Sequence, residues 1–333
     1  MSIFRNILFG TGLLASALTF ASLLGRFHWV LDVMSHFHLQ YTVLLLVVAP
    51  ALLLLRKGRR QSLILLPALL FNLYLLAPFF LGGGPRPTAL SDSAAPLRVM
   101  SMNISTSTAG YSQVVALIEE REPDIVFLSE VREDLVALLQ TELAEAYPVL
   151  HAVPSRYTLG LAVLARDPGV DVQTMNAGDD AGYRTRRYLR ADFSHGGTLV
   201  TLVGIHPLPP MRGAWAAGRD RELALMGTVA NETDHPFIFL GDLNASPWSH
   251  AMRTLLSETD LRYAANGYGI RPTWLLGAPP LGRLLGAPLD HILVSPEWTV
   301  VDYTEAGTIG SDHVPLQADL VLRNEEQSST PAP

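Results

Sequence analysis

The stretch Phe237–Trp248, FIFLGDLNASPW, ends an apolar run with an acid and an amide two residues apart, Asp242 and Asn244. A carboxylate held there can orient or deprotonate water or take a cation, and a neighbouring amide can hold it in place. On its own the pair is also ordinary turn chemistry. Other places in the chain repeat the pattern. Asn103 follows the apolar run Leu97–Met102, Glu130 follows Ile125–Ser129, and His206 follows Leu199–Ile205. Asp290 opens the run Leu289–Ser295, with His291 beside it, and Asp312-His313 precedes Val314–Leu322. All are metal-binding or proton-moving types, and open α/β sheets place ligands at the ends of their strands.

The elements that must position these residues alternate between strand and helix. Strands are expected at 97–102, 125–129, 159–165, 188–193, 199–205, 237–241, 289–295, 298–303 and 314–322, from short apolar or β-branched runs bounded by turn formers. Ser112–Arg121, Arg132–Ala146 and Trp215–Asn231 carry apolar residues at helical spacing. Ser246-Pro247 reads as a helix N-cap followed by proline at the first helical position. Hairpins mixed with strand–helix units predict mixed sheets with helices outside them. On an extended strand His291 points to the opposite face from Asp290 and is read as structural.

The first quarter of the chain is of a different kind. Ile7–Leu24, Leu39–Leu55 and Leu63–Leu81 lack charge and lie near the ~17–25 residues that a bilayer core requires. The first exceeds the ~7–15 apolar residues of a cleavable signal, so it reads as a span. Four basic residues at 56–60 place that loop in the cytoplasm by the positive-inside rule, and with it everything after Leu81 outside. His28, His36 and His38 fall in the outer loop beside Trp29, and an interfacial loop explains them better than a metal site. Residues 82–96 are a linker by composition, 97–323 one large domain, and 324–333 a disordered tail.

Charge divides with this architecture. Residues 1–96 carry a net +5 and residues 97–333 a net −12, with seventeen Arg and no Lys. An acidic domain is poorly suited to gripping duplex DNA by its phosphates, so nucleic acid is possible as a partner but unsupported by charge. The chain has no cysteine, which excludes disulfides, thiolate metal sites and a cysteine nucleophile.

With order and spacing taken together, the chain resembles the endonuclease/exonuclease/phosphatase family, the deoxyribonuclease I-like fold, in a membrane-anchored bacterial type. The motifs are MSMN at Asn103, PDIVFLSE at Glu130, IHP at His206, GDLNASP at Asp242, LDHILVS at Asp290 and GSDHVPL at Asp312-His313. The resemblance implies an α/β fold, a four-layer sandwich of two packed mixed sheets flanked by helices. It implies hydrolysis of a phosphate ester with a divalent metal, usually Mg²⁺, with Mn²⁺ or Ca²⁺ as alternatives. Glu130, Asn103 and Asp312 would be the metal ligands. Asp242 would handle the attacking water, Asn244 would hold Asp242 and a phosphate oxygen, and His206 would donate to the phosphate or leaving group. His313 would be held by Asp290.

Each of these residues also has a local explanation: Asn103 as a turn cap, Glu130 as a first-turn acid, His206 as a packing histidine, Asp290 and Asp312-His313 as an ion pair. Arg219 and Arg221 could reach a phosphate, but pairing with Asp220 and Glu222 is preferred. Three functions remain open. One is a phosphodiesterase or nuclease anchored in a bacterial plasma membrane with its domain on the periplasmic or extracellular side. Another is a phosphatase or sphingomyelinase-like lipid phosphodiesterase, which the apolar stretch Leu275–Leu289 would suit, although a buried loop explains it equally. The last is a tethered module without catalysis. The topology predicts that a reporter active only after export, fused after Arg323, gives signal; signal from a cytoplasm-only reporter there would contradict it.

Overall fold

The computed structural model describes residues 2–55, 57–82, 95–105, 111–180, 184–277 and 280–323. Most of the expected linker and all of the expected tail lie outside the described residues.

Strands β1 (Leu97–Asn103), β2 (Ile125–Ser129), β3 (Val149–Val153), β4 (Leu161–Ala165), β11 (Trp298–Glu305) and β12 (Leu316–Leu322) form one mixed sheet in the order β11-β12-β1-β2-β4-β3. The second sheet, β5-β6-β7-β8-β10-β9, takes β5 (Asp171–Asp180), β6 (Arg184–His195), β7 (Thr198–Ile205), β8 (Phe237–Asp242), β9 (Arg262–Tyr263) and β10 (Asp290–Val294). The sheets pack face to face through Val99, Phe127, Val163, Leu189, Leu202, Leu240, Ile292 and Leu316. Outside the first sheet lie α5 (Ser112–Arg121) and α6 (Glu133–Glu142), which bury Ile118, Leu135 and Leu139 against it. Outside the second lie α7 (Gly213–Asn231) and α8 (His250–Glu258). This is the expected four-layer α/β sandwich.

Register explains why the polar strand-end residues converge. β1 runs parallel to β2 with Asn103 opposite Ser129, so Asn103 and Glu130 leave their strands side by side. β7 runs parallel to β8, with Gly204 opposite Leu240, which carries His206 and Asp242 to the same edge. β10 is antiparallel to β8 and starts there, with Asp290 directly opposite Asp242. β12 is antiparallel to β1, so residues 311–313 arrive at that edge as well. Gly241, at φ 138°, is required where β8 leaves the sheet, because a Cβ would run into the Ile205 carbonyl and the Phe127 ring.

Several elements depart from the sequence reading. The edge strands β3 and β5 and the two-residue β9 escape it, since β3 is half-buried throughout and β5 is mostly polar. The cap of α8 is Ser249, whose hydroxyl accepts from the Met252 N–H at 3.3 Å, not Ser246. Ser246 is fully buried and faces Ser35 at 3.4 Å.

Three helical stretches, Ser2–Phe27, Trp29–Leu54 and Arg59–Phe80, are long and apolar enough to cross a membrane. They contain α1 (Ser2–Ala21), α2 (Trp29–Val33), α3 (His38–Leu54) and α4 (Arg59–Phe80). The expected outer loop is therefore mostly helical, two short 3₁₀ turns filling the gaps around α2. These helices do not stand apart from the sandwich. Leu76 and Phe79 of α4 belong to the same buried cluster as Phe237, Trp248, Met252 and Tyr263. The Phe79 ring lies 6.2 Å from that of Trp248 and 5.6 Å from that of Tyr263. Trp248 Nε1 donates to the Leu75 carbonyl at 3.1 Å, and Gly269 N to the Phe79 carbonyl at 2.6 Å. Phe79→Ala should therefore destabilise the sandwich itself, by about 3–5 kcal/mol. An unchanged unfolding midpoint of the full chain, followed by the fluorescence of its tryptophans, would contradict this.

Candidate active site

At the convergent edge of the two sheets the central group is the Asp242 carboxylate, buried at the end of β8. Its Oδ1 accepts from the Asn244 N–H at 2.9 Å, the local turn that the sequence suggests. Its Oδ2 takes the longer-range contacts. Asn103 Nδ2 donates to it at 2.9 Å, His206 Nε2 lies 3.3 Å away and His313 Nε2 3.6 Å away. Asn103 Nδ2 also reaches Glu130 Oε1 at 3.3 Å, so one amide joins the ends of β1, β2 and β8.

Both imidazoles are oriented from behind. His206 Nδ1 donates to the Thr158 carbonyl at 2.9 Å, turning Nε2 toward Asp242 and Asn244. The His206 carbonyl accepts from Arg186, which pairs with Glu222 at 3.0 Å with both side chains buried. His313 Nδ1 donates to Asp290 Oδ2 at 2.8 Å, and the Thr273 hydroxyl accepts from the backbone N–H groups of Leu289 and Asp290. Burial alone would lower both histidine pKa values, but the facing carboxylates outweigh it. Asp290 and Asp242 raise His313 to about 10, and Asp242 and Glu130 raise His206. For Asp242 burial acts in the opposite sense to the two rings, which hold its pKa below the usual carboxylate range. The site is thus an anion between two imidazoles, of which His313 is held cationic.

Glu130 and Asn244 both adopt left-handed backbone conformations, φ 62° and 49°. Such strain in residues other than glycine persists where the surroundings fix it, and here it aims two of the site's side chains. Asp312 lies at the exposed rim, where Trp274 Nε1 donates to its carboxylate at 3.3 Å. Ser311 Oγ donates to the Asn103 carbonyl at 2.9 Å and accepts from His313 N at 3.0 Å, which ties this rim to β1.

The two arginines fall elsewhere. Arg221 is exposed on α7. Arg219 is buried beneath the 242–249 loop: Nη1 donates to the Asn244 carbonyl at 3.1 Å and Nη2 to Asp32 at 2.7 Å and Asp220 at 2.7 Å. Glu222 is taken by Arg186, so of the two expected acidic partners Arg219 has Asp220. His291 donates through Nε2 to the Ala245 carbonyl at 2.8 Å, and burial lowers its pKa, which keeps the ring neutral. The outer-loop histidines separate. His36 accepts from Ser246 N at 3.3 Å, while His38 bonds Asn72 at 2.6 Å between the helices.

Asp32, Thr158, Thr273, Arg186 and Trp274 support the site without having been legible as part of it. None ends a long apolar strand, and Asp32 lies 187 positions from Arg219. A cavity of about 340 Å³ opens beside His206, lined by Ser155, Tyr157, Arg186 and Arg187 among others.

A sequence profile described as the Endonuclease/Exonuclease/phosphatase family matches residues 100–313. The chain belongs to the endonuclease/exonuclease/phosphatase family. No curated protein matches it. Among solved structures it is similar to an endonuclease/exonuclease/phosphatase from Beutenbergia cavernae, at 22% identity and a TM-score of 0.55, over 68% of this chain and 72% of that one. It is also similar to D. rerio TDP2 complexed with a single-strand DNA product, at 17% identity and a TM-score of 0.56, over 68% of this chain and 99% of the other. The human Nocturnin catalytic domain aligns at 18% identity and a TM-score of 0.53, over 68% and 94%. At these identities the structural likenesses establish the fold, and the profile establishes the family.

Members of this family are typically divalent-metal dependent, and the donors here fit such an ion. Glu130 and Asp312 offer carboxylates, without sulfur, while Asn103 turns its Nδ2 to Glu130 and Asp242 and its oxygen to the Ser105 N–H at 2.9 Å, so its oxygen would reach the ion only with the amide reversed. The tightest group of potential ligands among the described residues is Asp242, Asp290 and His313. Its imidazole carries a proton on each nitrogen below about pH 10, which suits charge stabilisation better than ligation.

The sign of the His313 shift makes a testable statement. Its folded pKa, about 10, exceeds the unfolded 6.5, so the stability due to protonation is fully present below 6.5 and lost as pH rises through 10. The full chain should lose unfolding stability across that window, and Asp290→Asn should flatten the loss. A slope unchanged in Asp290→Asn would show that the pair does not set the shift.

Proposed function

We propose that the chain is a membrane-anchored phosphoric diester hydrolase whose catalytic domain lies on the outer side of the membrane. The observation that carries this reading is the single oxygen, Asp242 Oδ2, faced by two imidazoles and by the amide that also contacts Glu130. A carboxylate held ionised between two imidazoles, one of them cationic, is suited to accept a hydrogen bond from water and so orient it beside an anionic, tetrahedral group.

In this reading Asp242 orients the attacking water, and Asn244, fixed by its own turn and by Arg219, holds a phosphate oxygen. His206 Nε2–H donates to the departing oxygen, with Nδ1 anchored on Thr158. His313, kept cationic by Asp290, stabilises the charge that builds on the equatorial oxygens. Glu130, Asn103 and Asp312 would hold Mg²⁺, or Mn²⁺ or Ca²⁺ in its place, which when bound neutralises phosphate charge. The cavity beside His206, with Arg187 and Tyr157 in its wall, gives room for the second substituent of a diester. The basic loop at 56–60 supports the orientation, and the three apolar helices support the anchor.

Asp242→Asn keeps the shape and removes the charge, so hydrolysis of bis(p-nitrophenyl) phosphate by the full chain should slow by roughly 10²–10⁴-fold with the domain still folded. A rate within a few-fold of the parent would reduce the motif to a turn. Glu130→Gln should mimic chelation, and adding chelator to that variant should cost little more. Full activity in excess chelator would remove the metal from the account.

A further inference from the structure

The short helix α9 (Leu281–Leu285) has an apolar face that is largely exposed. Leu281, Leu284 and Leu285 are 60%, 53% and 39% exposed, and Leu276, just ahead of the helix, is 50% exposed. Their i, i+3, i+4 spacing puts the three helical leucines on one face. Scattered exposed leucines are ordinary, whereas a cluster marks a contact surface.

Two sets of bonds fix where this face lies. Gln40, near the start of α3, donates to the Leu284 carbonyl at 3.1 Å and to the Gly286 carbonyl at 2.5 Å. From the sandwich, Glu305 on β11 binds Arg283 at 2.7 and 2.8 Å. α9 is clamped between a candidate transmembrane helix and the first sheet. One and two turns further along α3, Val43, Leu44 and Val47 are exposed, on a stretch apolar enough to cross a membrane. A turn of helix rises about 5.4 Å, so the α9 leucines continue the surface that α3 would present to lipid.

The residues that precede this helix form a wall of the active site. Trp274 makes a backbone bridge to His313 and donates to the Asp312 carboxylate. Leu275 N bonds the Asp312 carbonyl at 2.8 Å, and Leu276 N bonds the Gly282 carbonyl at 3.1 Å. A chain of backbone bonds therefore runs from the site's rim to the exposed helix.

We propose that α9 and Leu276 seat in the interfacial layer of the leaflet nearest the domain, and that the site takes phosphate esters carried on a lipid. The occupant is lipid because the face is continuous with the spans, and the net charge of −12 on residues 97–333 disfavours a nucleic-acid strand. The substrate half rests on the phosphodiesterase reading; the seating half does not.

The absence of cysteine makes Leu284→Cys the sole thiol of the chain. A nitroxide attached there, with the full chain in phosphatidylcholine–phosphatidylglycerol vesicles, should relax with oxygen, which concentrates in lipid, and resist a water-soluble nickel chelate. Leu199→Cys, exposed on the β6–β7 hairpin, should do the reverse. A Leu284 label open to nickel, or broadened by a label on a second copy, would overturn the seating. For the substrate, Leu281→Ser/Leu284→Ser/Leu285→Ser should cut phosphatidylglycerol cleavage by about tenfold or more. Cleavage of bis(p-nitrophenyl) phosphate should stay within about twofold, since no catalytic group is touched. Equal losses on both, or parental cleavage of the soluble diester alone, would overturn the lipid assignment. No cleavage of either substrate by the parental chain would instead sink the phosphodiesterase reading and leave the label result standing.

Discussion

A buried carboxylate governs the active edge of this protein. An ionised group out of water is costly unless hydrogen bonds and opposite charge meet it. Asp242 is met by the Asn244 amide, the Asn103 side chain and two imidazoles. Each of those groups needs support in turn: Thr158 behind His206, Asp290 behind His313, Ser105 N donating to the oxygen of Asn103. The residues that resemble a catalytic set are thus the residues that make this charge tolerable. Stability and reactivity share the same hydrogen bonds, and a neutral residue at 242 would leave His313 to Asp290 and His206 to Glu130.

The constraint extends into the helical region. Asp242 begins a loop whose Asn244 carbonyl is held by Arg219, whose Ser246 amide is held by His36, and whose Trp248 is held by α4. Arg219 is itself a buried cation, neutralised by Asp32 from the segment between the first two apolar stretches. Asp32 also accepts from His250 N at 2.6 Å, at the start of α8. The apolar helices therefore pack as a wall of the sandwich. A loop gripped from that side is rigid where Asp242 and Asn244 need it to be.

The strand ends were legible in the sequence because each is a polar residue closing a run of buried apolar ones, and parallel register then forces neighbouring ends together. Asn103 beside Ser129 follows from that, while Asp290 meets Asp242 because β10 runs antiparallel to β8 and starts at the same edge. What stayed hidden had no periodic signal. β5 is mostly polar and lies at the edge of its sheet, and Ser246 imitates a helix cap while its hydroxyl serves a buried contact. The Asp32–Arg219 pair joins a segment that reads as interfacial to a helix that reads as solvated. Only tertiary packing reveals that these two surfaces face each other. Leu281, Leu284 and Leu285 show the converse: their spacing was visible, but their exposure was not.

The central claim is that water, activated at Asp242, attacks phosphorus. It is tested most directly by turnover of a phosphate diester in ¹⁸O-labelled water, with the products resolved by ³¹P NMR or mass spectrometry. The account requires one ¹⁸O in the phosphorus-containing product, none in the alcohol released, and incorporation slowed by roughly 10²–10⁴-fold with Asp242→Asn. Label in the alcohol, or labelled phosphate formed at the parental rate by Asp242→Asn, would contradict it.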